Sequence, residues 1–262
     1  MVSLRTNEKQ MEEKYMGELH EDVYFGDINK RYAELAEMSP ENWSIAGRSD
    51  NGVLKNYLKH TYKKLEEEHK VVYEAKYGLF NTGLFTEYYE SIYAYMEPNA
   101  AGGSQKYYLK GFMTPYDLGA LGIINLPGRA NYFSSPELLV FDANCQINVQ
   151  YKHILSDEEN MKRIPESIQN AKNLQHIFSG AIEVMKKKVA ANYKIAVPQY
   201  FNGKIQLLLP LCLVDPDVPD LALVVTKNSA GNFYQGHTCL TLEMAYNNAR
   251  LIAKPDSNWL QP

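Results

Sequence analysis

KIQLLLPLCLVDPDVPDLALVVTKNSAGNFYQGHTCLTLEMAYNNARLI, residues 204–252, holds two almost purely apolar runs, 205–214 and 221–226, followed by a threonine-spaced segment. Read as strands over 204–213, 220–227 and 233–242, these runs are joined by VDPDVP and NSAGN, lengths that suit successive antiparallel pairing. The first two runs are too apolar for one face to be wet, so the pattern predicts helices or another layer over both faces. The last run alternates Thr238, Leu240 and Leu242 with Cys239 and Thr241, then passes into a helix over 243–252 in which Tyr246, Asn247 and Arg250 share one turn. The expected fold class is therefore α+β: a largely antiparallel central sheet with a C-terminal strand meander, covered by amphipathic helices.

Upstream, Leu54, Tyr57, Leu58, Tyr62 and Leu65 line one helical face, and Leu174, Ile177, Phe178, Ala181, Met185 and Val189 line another. Lys186, Lys187 and Lys188 close the second helix, where cations suit the dipole. Between the helices the pattern predicts strands over 77–80, 92–96, 107–113, 138–142 and 147–153, with Asn81-Thr82-Gly83 as a polar interruption after the first and 115–127 as an irregular segment. Residues 24–36 follow helical spacing, Ser39-Pro40-Glu41 reads as a helix start, and GRSDNG at 47–52 reads as a turn. Residues 1–23 alternate charges without an apolar stripe. The expected organisation is an N-terminal helical or partly flexible arm over 1–42 and a single α+β domain over 43–262.

The 262 residues carry 45% hydrophobic and 22% charged side chains with a net charge of −4, so no global basic field exists to hold nucleic acid by phosphate neutralisation. Any such contact must be a local patch. The three cysteines, Cys145, Cys212 and Cys239, lack metal-ligand spacing. The first residues lack the apolar core of a secretory signal, and no run approaches the roughly 18 apolar residues of a membrane helix. A cytoplasmic protein without a membrane partner is expected. Twenty tyrosines against two tryptophans and nine phenylalanines are a bias toward flat rings with polar tips, suited to sheet edges and to stacking on bases.

No Walker loop, GxGxxG, HExxH, nucleophile elbow or zinc spacing occurs, so no metal site is assigned and any cofactor is unknown. Histidine is the side chain best suited to acid–base work near neutral pH, and arginine to phosphate, which makes His153 and Arg250 the candidate catalytic residues. Asn81, Thr82, Gly83, Arg129, Lys194, Gln199, Thr241 and Asn247 are the candidate ligand-binding residues: short polar groups and a glycine for close approach, amides for a base edge, cations for phosphate.

FNTGLFTEYYESIYAY, IQLLLPLCL, DLALVV and TLEMAYNNARLI, followed by Pro255 and Trp259-Leu260, resemble a bacterial and phage domain family of unknown function. The resemblance covers residues 43–260. In other architectures that family lies beside cold-shock or LOTUS-type winged-helix modules, so the resemblance implies an RNA or nucleotide context and supplies no catalytic assignment. The expected function is an RNA- or nucleotide-binding or processing domain, with phosphodiester or phosphate-ester hydrolysis as the first reaction to test. The alternatives are a non-catalytic sensor or sponge of a small nucleotide signal and a protein-interaction module.

Overall fold

The computed structural model describes residues 18–45, 48–101, 103–255 and 259–260, and the chain divides into two compact units, 1–131 and 132–262. The boundary falls inside the stretch 43–262 read as one domain. Each unit carries a five-stranded sheet with helices, so the molecule is α+β and its sheets are mostly antiparallel.

In the first unit, helix α1 (Leu19–Asp22) leads into β1 (Val23–Tyr24), and α2 (Ile28–Met38) and α3 (Gly52–Glu67) follow. The strands β2 (Val72–Tyr73), β3 (Gly78–Phe85), β4 (Ser91–Pro98) and β5 (Tyr107–Met113) complete a sheet of order β1-β5-β4-β3-β2, in which only the β1–β5 pair is parallel. Neighbouring residues of a strand point to opposite faces. Phe80 meets Tyr62 of α3 edge-on at 5.2 Å, whereas Leu79 packs with Tyr93, Leu118 and Ile123 on the other side. Leu19 and Val23 are fully buried, and the Arg31 guanidinium donates to the Tyr108 hydroxyl and the Leu109 carbonyl, each at 3.2 Å. Residues 18–38 thus build one edge of this unit; the rest of the charged N-terminal stretch lies outside the described residues.

Three local expectations change here. Ser39 ends a helix rather than starting one: its N–H donates to the Leu35 carbonyl, while its own carbonyl accepts the Trp43 indole at 2.8 Å. Asn81-Thr82-Gly83 lies inside β3, at a shift of register against β4, because its side chains satisfy the backbone groups that the ladder leaves open. Within 115–127, a short helix α4 (Pro115–Ala120) forms because Thr114 and Asp117 make a reciprocal capping box.

The second unit contains β6 (Gln146–Val149), α5 (Tyr151–Ser156), α6 (Glu158–Met161), α7 (Glu166–Gln169) and α8 (Leu174–Ala191). It continues through the meander β7 (Val197–Phe201), β8 (Lys204–Leu211), β9 (Leu221–Lys227) and β10 (Phe233–Leu240), ending in α9 (Leu242–Ala249). The order is β6-β10-β9-β8-β7, antiparallel except for β6 against β10. Leu207, Leu209 and Leu211 stand in register with Val225, Leu223 and Leu221, and pack with Phe178, Ile182, Met185 and Val189 of α8. Leu208, Ala222 and Val224, of the opposite parity, are also buried, and α9 packs against β7 and β9. Both faces are covered, as the two apolar runs require.

The strands expected over 138–142 and 147–153 are corrected. Pro136–Leu139 is a 3-10 turn, favoured by proline at its first position. β6 ends at Val149, opposite Gly236, where β10 shifts register against β9, and the chain turns into α5.

Candidate functional site

α8 is apolar over a wide arc that serves both the core and a cavity. Leu174, Phe178, Ile182, Met185 and Val189 recur at helical spacing and are buried, while the adjacent stripe Ile177, Ala181, Val184 and Lys188 walls a cavity of about 620 Å³. Gly180 widens it, since a Cβ there would meet nothing within 4 Å. The opposite wall is the end of β8 and the loop behind it, with Pro210, Cys212, Leu213, Pro216, Asp217 and Pro219. β7 pairs with β8 only as far as Leu208, so Pro210, which has no N–H to donate, sits where that side of the ladder is open. Asp220 pins the loop: its Oδ2 accepts from the N–H of Leu213 at 2.6 Å and of Val214 at 3.0 Å.

Polar groups converge on this wall. The Lys188 ammonium donates to the Pro216 carbonyl at 2.7 Å, and exposed Lys194 and Asn192 also line the space. Trp259 joins the lining and is fixed by its indole N–H, which donates to the Ile195 carbonyl at 2.8 Å. Burial pushes the Cys212 thiol up, which keeps it a neutral thiol rather than a nucleophilic thiolate. The lining set therefore offers aliphatic walls, one indole, two ammonium groups and one carboxylate, Asp217, so cations outnumber anions and the set suits a flat ligand with an anionic end. Its volume lies inside the range of about 300–1,000 Å³ typical of small-molecule sites.

Of the candidate catalytic and ligand-binding residues, only Lys194 lines this cavity. In the first unit, Asn81, Thr82, Gly83 and Arg129 do come together, in a mutually bonded bulge. Asn81 Oδ1 accepts the Gly83 N–H at 2.9 Å, the Thr82 hydroxyl donates to the Ile92 carbonyl at 2.7 Å, and the Arg129 guanidinium donates to the Gly83 carbonyl at 2.9 Å while lying 4.7 Å from the Phe85 ring centroid.

In the second unit, Gln199 is buried and its amide bridges two neighbours, donating to Gln206 at 2.8 Å and accepting from Asn248 at 3.1 Å. Thr241 caps α9 by accepting the Met244 N–H at 3.2 Å. Asn247 and Arg250 lie on and just after that helix, with Arg250 buried. His153 is exposed on α5, beside a shallow depression that Val149, Tyr151 and Ser156 also line. Asp142 binds the Cys145 thiol at 3.2 Å, the Asn144 N–H at 3.1 Å and the Lys227 ammonium at 3.3 Å, and these bonds hold its carboxyl down at about 2. Among the described residues no group of three or more His, Cys, Asp or Glu side chains is placed to hold a metal ion.

Sequence reasoning missed the cavity because Ile177, Ala181 and Val184 are equally good core residues. The available signal was the width of the apolar arc: Ile177 and Ala181 pack partly against the core, while Val184 is half exposed on the same flank and leads to Lys188. All three cysteines are unpaired, and among the described residues no helix is long and apolar enough to cross a membrane. No curated protein and no solved structure matches the chain. A family model described as Domain of unknown function (DUF3825) matches residues 35–259, and the chain belongs to that family.

Proposed function

We propose that the second unit binds a nucleotide, free or as the end of an RNA strand, and holds it as a sensor in a reducing compartment such as the cytoplasm. The observation that carries this reading is the cavity beside α8, with its aliphatic walls, Trp259, and the ammonium groups of Lys188 and Lys194. A base has a flat apolar face that such walls accept, and its phosphate supplies the charge that two lysines neutralise. The RNA context implied by the resemblance of the terminal motifs supports the same ligand class. Binding is favoured over turnover because, among the described residues, the lining contains no histidine and its thiol is held neutral.

The test is calorimetric titration of the full chain with nucleoside mono- and triphosphates and a short oligouridylate. At least one ligand is expected to bind, and Lys188→Ala with Lys194→Ala is expected to weaken it by about tenfold or more while the fold is retained by circular dichroism. No binding by any ligand, or undiminished binding in the double variant, overturns the proposal. Release of product during the same incubations would replace sensing by hydrolysis; His153→Ala and Arg250→Ala then ask whether those two side chains carry the reaction.

A further inference from the structure

The β3–β4 turn presents two consecutive tyrosines to solvent on a braced backbone. Tyr88 and Tyr89 are 77% and 85% exposed. Thr86 locks the turn from both directions: its N–H donates to the Glu90 carbonyl at 2.9 Å, its carbonyl accepts from Tyr89 at 3.0 Å, and its hydroxyl accepts from the N–H of Tyr88 at 3.3 Å and of Glu90 at 3.2 Å. Tyr89 sits at φ +60°, a left-handed conformation that costs an aromatic residue about 1 kcal/mol or more and that glycine or asparagine would adopt readily. A third tyrosine, Tyr116, is 81% exposed at the start of α4. It belongs to the same end of the sheet, because Tyr93 near the start of β4 is in register with Met113 at the end of β5.

The flanking charges decide what such a surface takes. Glu87 and Glu90 bracket the tyrosine pair, both are exposed, and neither has an ion-pair partner among the described residues. Carboxylates on both sides repel a phosphate backbone, which removes single-stranded nucleic acid as the occupant. A guanidinium does the opposite: it stacks on a tyrosine face and pairs with a carboxylate, and both interactions strengthen as water leaves. Two rings and two acids on a turn held by four hydrogen bonds form a preorganised receptor, with little ordering entropy left to lose on binding.

We propose that Glu87-Tyr88-Tyr89-Glu90 with Tyr116 is a docking surface for an arginine-containing basic segment of a partner protein. The site lies in the first unit and stands independently of the nucleotide cavity.

The experiment is fluorescence anisotropy of the full chain with a labelled peptide alternating arginine and glycine, against a glutamate–glycine peptide and a labelled oligouridylate. Binding of the arginine peptide is expected, falling as salt rises. Tyr88→Ser with Tyr89→Gly, and separately Glu87→Gln with Glu90→Gln, are each expected to weaken it about tenfold or more. Glycine at position 89 relieves the strained backbone, so the tyrosine variant should melt no lower than the parent. The proposal is overturned by absence of arginine-peptide binding, by equal binding in the tyrosine variant, or by tighter binding of the oligouridylate or of the glutamate peptide.

Discussion

Gly83 is the residue whose replacement the structure forbids most clearly. Its φ of +79° is unfavourable for a side chain, and a Cβ there would collide with the Tyr57 hydroxyl. Gly83→Ala should cost about 2–3 kcal/mol, measured by urea denaturation. Tyr57→Phe in the same chain should return part of that loss by removing the clashing oxygen while the backbone strain stays. Equal stability of the single variant and the parent would contradict the close approach.

Glu66 shows the same scale from the side of protonation. Asp22, Tyr62, Tyr73 and Glu66 form a chain of oxygen contacts at 3.1, 2.7 and 2.8 Å. Two phenols supply two protons for three links, so the chain is complete only when a carboxyl supplies the third. Burial, reinforced by the Asp22 charge and opposed by the Tyr73 bond, His69 and Lys106, raises the Glu66 carboxyl above its ordinary value. A raised carboxyl favours the fold below its unfolded pKa, and that contribution disappears as pH rises through the folded pKa. Glu66→Gln offers Tyr73 an amide donor in place of the carboxyl proton and cannot ionise. Its melting temperature relative to the parent should therefore rise between acidic and neutral pH, and a difference independent of pH would refute the shared proton.

Among the elements, α9 and the β8–β9 loop separate structural polar groups from candidate binding ones. The Thr241 hydroxyl, a candidate ligand contact in the sequence, caps α9 at the Met244 N–H. Thr241→Ala should lose about 1 kcal/mol of stability, seen as a lower urea midpoint with nucleotide affinity unchanged. Asp220→Asn weakens the two charge-assisted bonds that pin the loop at Leu213 and Val214, so it should loosen the cavity wall and weaken nucleotide binding by several-fold. Loss of affinity in the threonine variant, with the aspartate variant unaffected, would move the site to α9.

The elements that were legible share one property: their pattern is long and one-sided. The meander was readable because the apolar runs of β8 and β9 admit few other uses, and α3 and α8 because their apolar positions recur over several turns. The short elements were legible only in part: a strand is expected over 147–153, and β6 holds its first three residues. β6 and the 3-10 turn at Pro136–Leu139 are each four residues, too few for a period to show. Their state was set by which neighbour offered a partner.

At the level of the whole molecule, each unit has its own core: Leu79, Tyr93, Leu118 and Ile123 in the first, and the α8-covered leucine rows in the second. Residues 132–262 expressed alone should therefore unfold in a single sigmoidal urea transition. Trp259 is the one tryptophan of that piece, so its fluorescence reports the transition, and nucleotide binding beside it, without interference from Trp43. A broad, noncooperative change would show that the second core depends on residues 1–131.

The sequence by itself determined the α+β class, the C-terminal meander, its cover of helices and the two long amphipathic helices, because hydrophobic period is a local property that burial must respect. The tertiary structure alone decided the rest: that the strands form two sheets, that Asn81, Gly83 and Arg129 satisfy one another, and that the outer flank of α8, Lys188 included, meets Trp259 and Lys194 around a cavity. Those outcomes depend on which side chains meet across long separations in the chain, and no spacing within one element encodes that.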